Sequence, residues 1–358
     1  MAPNNALKKS ALGGEAESES AAAPAAAQGG ENAPRGVISA SEVRSRGDGV
    51  NKGQSRDQGA ARDELRRFLV ACMFLTRLPM PRWVDHSPVD LVPGMMYFPV
   101  IGSLVGLWAG VWFEALATMW DPLVAAAGST LMAVWLTGCF HEDGLADTLD
   151  SFGGGWGRAQ ILRIMKDSRV GTYAVVGVSL CMISKTALIA GFGSPAATIV
   201  ALTVAHSWAR LPSVWLVTLF PYVHDEGDDK GLLYNSFAGC LAAGLLTWRR
   251  VLASTAYVAF VCVALLEPLR AAMLLCLLPV VVLSAGFYAK GVIGGVIGDF
   301  LGATIMLSEL LAYMVLCARL PADFADPAFA VPWLRLIAVV SLPTMLMRGA
   351  GDLPNKSC

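Results

Sequence analysis

Apolar segments recur along most of this chain, and they limit what it can fold into. They run Phe98–Met119, Leu123–Cys139, Val170–Phe192, Ala196–Leu219, Val251–Leu266, Ala271–Ala289, Val292–Cys317 and Val331–Met347. About 20 apolar residues in a helix cross the hydrocarbon of a bilayer. Two further pieces, Phe68–Leu75 and Phe237–Trp248, are shorter or mixed; each reads as a span, a re-entrant helix or an interfacial helix. The expected fold is all-α, a polytopic integral membrane protein of seven to nine transmembrane helices. Charged residues make up only 15% of the chain, against about 25% in soluble domains, which points to lipid as the solvent. No period of 20–50 residues repeats, so a solenoid is excluded.

The first 60 residues differ from the rest. They are rich in Ala, Gly, Ser and charge, with almost no large apolar side chains. Such a segment buries too little surface to offset its ordering entropy and is expected to be a disordered tail. It has no continuous apolar stretch of the kind a secretory signal needs, and its acidic residues argue against an organellar transit peptide. From about Phe68 onward the chain is mostly apolar. Eight cysteines are scattered singly, without a CxxC pair and mostly inside apolar runs. They read as buried small hydrophobes rather than disulfides or a zinc site.

Lys and Arg accumulate on the cytoplasmic side of membrane proteins. With the tail inside, the inner segments hold Arg66, Arg67, Arg77, Arg82, Arg158, Arg163, Lys166, Arg169, Lys230, Arg249, Arg250, Lys290 and Arg348. The outer segments hold only Arg270 and Arg319. The tail and the acidic stretch "CFHEDGLADTLDSFGGGW" (Cys139–Trp156) are therefore expected at the cytoplasmic face of a cell (inner) membrane.

Within that stretch, Asp143, Asp147 and Asp150 are spaced i, i+4, i+7 and share one helix face. Carboxylates so placed repel unless a cation sits among them. Mg2+ takes oxygen ligands and pairs with substrate phosphates. Glu142, about 100° round the helix, is a candidate outer ligand. Gly153, Gly154 and Gly155 would let backbone N–H groups approach an anion, and Lys166 and Arg169 suit phosphate oxygens. Together these residues describe phosphoryl transfer, in which positioning and charge neutralisation do most of the catalysis. The competing reading is an acidic amphipathic helix and glycine turn joining two spans.

Further along, glycines 294, 295, 298 and 302 surround Asp299, and Glu309 follows in the same span. Acids inside a span are costly and suggest function. Asp299 is expected near the cytoplasmic edge and Glu309 about 15 Å deeper. Glu309 is a substrate-binding candidate, with a structural hydrogen bond as the competing reading; the glycines could equally serve close helix packing. His206 and Arg210 lie i, i+4. Arg210 needs an anionic partner, for which Asp299 or a substrate phosphate would serve. Lys185 has no partner visible in the sequence.

Four blocks carry a resemblance to a known family: "FLTRLPMP" at 74–81, "HEDGLADTLDSFGGGWGRAQILRIMKDSRVGTYA" at 141–174, "AHSWAR" at 205–210 and "GGVIGDFLGATIMLSE" at 294–309. In order and spacing the chain resembles the cobalamin synthase family, the membrane-embedded adenosylcobinamide-GDP ribazoletransferases, and the resemblance implies that residues 64–350 form one membrane-embedded catalytic unit. The resemblance implies a Mg2+-dependent transferase that joins adenosylcobinamide-GDP to alpha-ribazole, or its 5'-phosphate, and releases GMP. It further implies that Asp143, Asp147 and Asp150 hold Mg2+ on the diphosphate with Glu142 close by, and that Lys166 and Arg169 neutralise the leaving GMP. Asp299 would complete the metal shell or orient the nucleophile, and His206 is a candidate base. The lipid bilayer is an expected partner, with a homo-oligomer or other enzymes of the pathway also open; nucleic acid is not expected. The chain departs from the family in its long tail and in the acidic loop "YVHDEGDDKGLLYN", which is often basic elsewhere.

Rival readings fit less well. The CDP-alcohol phosphotransferase signature D-G-x-x-A-R begins at Asp143, but Asp147 and Thr148 stand where its Ala and Arg belong. An intramembrane prenyltransferase would not require the glycine triplet or "KDSRVGTY". A transporter would show inverted repeats, and none is visible.

Overall fold

The computed structural model describes residues 56–223 and 239–319, together with Phe237. All of them fall in a unit that starts at Ile38. Most of the expected tail and the expected span Val331–Met347 lie outside the described residues.

Among the described residues, eleven α-helices follow one another in chain order. They are α1 (Arg56–Leu75), α2 (Pro88–Gly94), α3 (Phe98–Ala117), α4 (Pro122–Thr137), α5 (Phe140–Gly154), α6 (Arg158–Met165), α7 (Thr172–Ala190), α8 (Pro195–Leu219), α9 (Trp248–Leu265), α10 (Pro268–Ile293) and α11 (Gly298–Cys317). No strand is present among the described residues; the extended pairing is an isolated bridge between Tyr222 and Val296. Proline opens α2, α4, α8 and α10, where its missing N–H would be unsatisfied in any case. Ser194 also caps α8, its hydroxyl accepting from the Ala197 N–H at 3.2 Å.

Among the described residues, five helical segments are long and apolar enough to cross a membrane: Pro88–Ala117, Thr172–Ala190, Trp248–Leu265, Pro268–Ile293 and Gly298–Cys317. The pair α4 and α5, bent by 90°, makes a sixth if it counts as one broken span. The multi-pass all-α expectation therefore holds. α8, which occupies the expected span Ala196–Leu219, is not among the five. It is the central helix, packed against α3, α9, α10 and α11, and it carries polar side chains because it faces protein rather than lipid.

Small residues allow the close approach. Gly102, Gly106 and Gly110 of α3 lie against the backbone of α8 at His206, Leu202 and Ile199, with no room for a side chain at any of them. Trp208 donates its ring N–H to the Leu274 carbonyl at 2.9 Å, joining α8 to α10. The outward faces are apolar: Leu131, Trp135, Leu180 and Ile183 are each more than half exposed. The interior, by contrast, holds Lys185, His206, Arg210 and Glu309. Polar residues inside and bare apolar residues outside are the distribution that a lipid solvent favours.

Candidate active site

The acidic stretch begins at a bend. Gly138 and Cys139 both adopt left-handed backbone (φ 67° and 60°), which ends α4 and redirects the chain into α5. A non-glycine residue in that region is uncommon and strained. Arg77 of "FLTRLPMP" packs over Gly138, and its backbone N–H donates to the Leu136 carbonyl at 2.8 Å.

From the bend α5 crosses α11. At the crossing, a Cβ placed on Gly144 would lie 2.8 Å from the Asp299 carbonyl oxygen and 3.3 Å from the Gly302 Cα. Glycine at 144 therefore lets two backbones touch, and it brings the acids of α5 up to Asp299. Asp147 lies within electrostatic reach of Asp299, Asp143 and Asp150, and Asp299 within reach of Asp143. The start of α11 is itself pinned. Gly294 ends α10 in left-handed backbone, and Gly295 presses on the Pro221 carbonyl with no space for a side chain. Val223 and Val296 N–H groups donate across that contact to Val296 and Pro221 carbonyls, both at 2.8 Å. The glycines around Asp299 thus set where its helix begins.

Asp150 has a different place from the other two acids of its face. Its carboxylate accepts the N–H groups of Gly171 at 2.6 Å and Ala174 at 2.9 Å, closing the N-terminus of α7. Gly171 is required there, since a Cβ would sit 2.6 Å from an Asp150 oxygen. Among the described residues, no three acid, His or Cys side chains approach closely enough to cage a metal ion.

The glycine triplet, expected to admit an anion, stands at the C-terminal end of α5. Gly153 and Gly154 are the last residues of α5, and the Gly155 N–H donates to the Ser151 carbonyl at 3.0 Å. Their N–H groups are directed into the helix. Packing explains two of them: Gly153 faces the Tyr173 ring and Gly155 faces Ile161. Lys166 is exposed and engaged in an interaction of its own. Arg169 grips Asp167 in a fork, one N–H to each carboxylate oxygen at 2.9 and 2.5 Å, and its side chain is 88% exposed. That pair holds the Asp167 carboxyl down at about 2. Both cations lie on the stretch between α6 and Gly171, whose N–H meets Asp150.

His206, Arg210 and Glu309 do come together, but apart from this acidic group. Glu309 accepts from Lys185 Nζ at 2.6 Å on one oxygen, and its other oxygen meets His206 Nδ1 at 2.8 Å and Arg210 Nη1 at 3.2 Å. All four are buried. The anion beside Arg210 is thus Glu309, not Asp299, which lies ten residues, about 15 Å, back along α11. Glu142, at the deep end of α5, lines the same small cavity as these groups. The sequence reading missed the part played by Lys185. The available signal was charge: a buried Lys in a span requires an acid, and Glu309 was the acid at matching depth.

The comparisons with known proteins agree on a family. The sequence profile described as cobalamin-5-phosphate synthase matches residues 67–317. A Shewanella piezotolerans protein named adenosylcobinamide-GDP ribazoletransferase is 33% identical over 257 residues, covering 71% of this chain and 96% of the relative. Relatives of the same name from Shewanella baltica and Albidiferax ferrireducens are 36% and 35% identical, covering 71% and 72% of this chain and 94% and 99% of the relatives. No solved structure matches. The chain belongs to the cobalamin-5-phosphate synthase family.

Proposed function

We propose that this protein joins adenosylcobinamide-GDP to alpha-ribazole, or its 5'-phosphate, giving adenosylcobalamin, or its 5'-phosphate, and GMP. The ribose 3'-hydroxyl oxygen forms a bond to the phosphorus that carries the cobinamide aminopropanol. The bond from that phosphorus to the bridging oxygen breaks, and the oxygen leaves with GMP. The observation that carries the reading is Asp147, placed with both Asp143 and Asp299 in reach at a crossing fixed by Gly144.

Mg2+ fits these donors. They are hard carboxylate oxygens, and an Mg2+ site needs only one or two of them, the rest coming from phosphates and water; the lack of a closed protein cage is therefore no obstacle. Bound there, the ion would offset the charge of the diphosphate. Asp143 and Asp147 would hold it, and Asp299, facing them from α11, would take the hydroxyl proton. Asp150 keeps α7 in place beside them. Arg169 can leave Asp167 for the departing nucleotide at little cost, because an exposed ion pair is screened by solvent. His206 lies instead beside Glu309, ten residues and about 15 Å along α11 from Asp299, so it is placed away from this step.

The site is assigned to the cytoplasmic face. Contacts of Gly144 with Asp299, Asp150 with Gly171, and Arg158 with the Ile293 carbonyl at 2.8 Å gather one end of the bundle. That end carries Arg158, Arg163, Lys166 and Arg169. Arg270, of the basic-poor side, meets the carbonyls of Leu316 and Ala318 at the other end of α11. This asymmetry supports the orientation. The direct test supplies both substrates and Mg2+ to purified protein in lipid nanodiscs. Mass spectrometry should find adenosylcobalamin, or its phosphate, in step with GMP; GMP without corrinoid product would refute the transfer.

A further inference from the structure

The acids of the site ride on two separate elements, and like charges push those elements apart. Asp143 and Asp147 belong to α5, while Asp299 stands in the first turn of α11, within electrostatic reach of both. Before a cation lies among them, something must hold α11 against α5. Gly144 permits the contact but supplies no attraction of its own.

Contacts from the segment that follows the acids supply it. At the end of α5, the Phe152 ring lies 5.6 Å from that of Phe300 and 5.5 Å from that of Tyr288. Ile161 and Leu162 of α6 pack with Ile293, Val223 and Ile297 in a small apolar cluster. Arg158, the first residue of α6, donates from Nε to the Ile293 carbonyl at 2.8 Å, joining positions 135 residues apart. Apolar contacts have no direction, whereas a hydrogen bond fixes one. Ile293 is the last residue of α10, where helix carbonyls run out of intrahelical partners and a cation is favoured. Gly294 and Gly295 follow at once, and glycine gives the chain freedom to pivot. Val296, paired with Pro221 and Val223, holds the far side of that turn. Arg158 holds the near side.

We propose that Arg158 is a positioning residue for the transfer, clasping the turn before α11 so that Asp299 stays against Asp147. The inference rests on the transferase reading and gives Arg158 a part that touches neither substrate nor metal. The rival part for an exposed arginine is a contact with a substrate phosphate, and the experiment separates the two.

The test uses the full chain in nanodiscs. Arg158→Met keeps the apolar stem and removes the donor; Arg158→Lys restores a donor of similar reach. Without Mg2+ or substrate, amide exchange at Val296 and Leu301 should quicken about fivefold or more in Arg158→Met. Gly171 and Ala174, capped by Asp150, should exchange as in wild type. With adenosylcobinamide-GDP, alpha-ribazole and Mg2+, kcat should fall about tenfold or more. KM and the half-saturating Mg2+ concentration should not change, because Asp143 and Asp147 stay where they were. Arg158→Lys should recover most of the lost kcat. A raised KM with kcat kept would make Arg158 a phosphate ligand and overturn the clasp. Faster exchange with unchanged kcat would reduce it to a structural contact, and unchanged exchange would remove it outright. Ile161→Val loosens the neighbouring cluster and should move the same amides and kcat in the same direction by less. No movement in either would count against the clasp where Arg158→Met does not fold. Wild-type protein that forms no corrinoid product would refute the transferase reading and the positioning role with it; normal turnover with unmoved variants would sink only the clasp.

Discussion

The contact of Gly144 with α11 makes a sharp prediction, because one methyl group there moves the acids without changing any of them. In Gly144→Ala the new Cβ would start 2.8 Å from the Asp299 carbonyl oxygen, about 0.6 Å inside ordinary contact. The neighbour is backbone, so it cannot rotate away, and the helices must separate by roughly that amount. Overpacking of this kind costs about 1–3 kcal/mol, which a bundle of this size should survive. Activity should suffer more, because a displacement near 1 Å in a reacting constellation costs about 100-fold; a 0.6 Å shift between Asp147 and Asp299 should cost roughly 10- to 100-fold in kcat/KM. Gly302→Ala on the facing helix is the control. Its Cβ would meet nothing closer than 3.5 Å, so stability and rate should stay near wild type. The assay is Mg2+-dependent GMP release in nanodiscs, with thermal unfolding measured in parallel. Equal rates for Gly144→Ala and wild type, in folded protein, would refute the argument that this crossing sets the site.

Three further outcomes are expected. Asp150→Asn should free one N–H at the start of α7, costing about 1 kcal/mol, with faster amide exchange at Gly171 and Ala174; unchanged exchange would contradict its capping role. Lys185→Met removes the cation on one Glu309 oxygen and should destabilise by about 3–5 kcal/mol, read as a lower midpoint in thermal unfolding. Glu64 is held down at about 2, first by its hydrogen bond from Arg250. Its folded value lies below its unfolded one, so its contribution is full above about 4.5 and fades as pH falls toward about 2. Because Glu64 is 37% exposed, solvent screening keeps that contribution to about 1 kcal/mol or less. A stability gap between wild type and Glu64→Gln that failed to close on acidification would count against the pairing.

Much of the fold could be read from hydropathy, because a span is defined by its own length and composition. α8 resisted that treatment: a helix wrapped by protein on most sides need not be apolar enough for lipid. The site was legible in part for a similar reason. Helix spacing reports which side chains share a face, so Asp143 and Asp147 were found together and Asp299 was flagged by the cost of an acid in a span. Spacing says nothing of what arrives from elsewhere in the chain. Asp150 shares the face, yet meets the N-terminus of α7 from 21 residues away. The glycine triplet looked like an approach for an anion; two of its members are thin because Tyr173 and Ile161 lie against them. Lys185 and Glu309, 124 residues apart, became a pair only when α7 and α11 were brought side by side.

The most direct measurement is turnover by Asp147→Asn beside Asp150→Asn, both in nanodiscs with adenosylcobinamide-GDP, alpha-ribazole and Mg2+. The account predicts that Asp147→Asn remains as stable as wild type while GMP release falls at least 100-fold, and that Asp150→Asn loses stability before rate. Undiminished Mg2+-dependent GMP release by folded Asp147→Asn would contradict the claim that this carboxylate stands at the centre of the site.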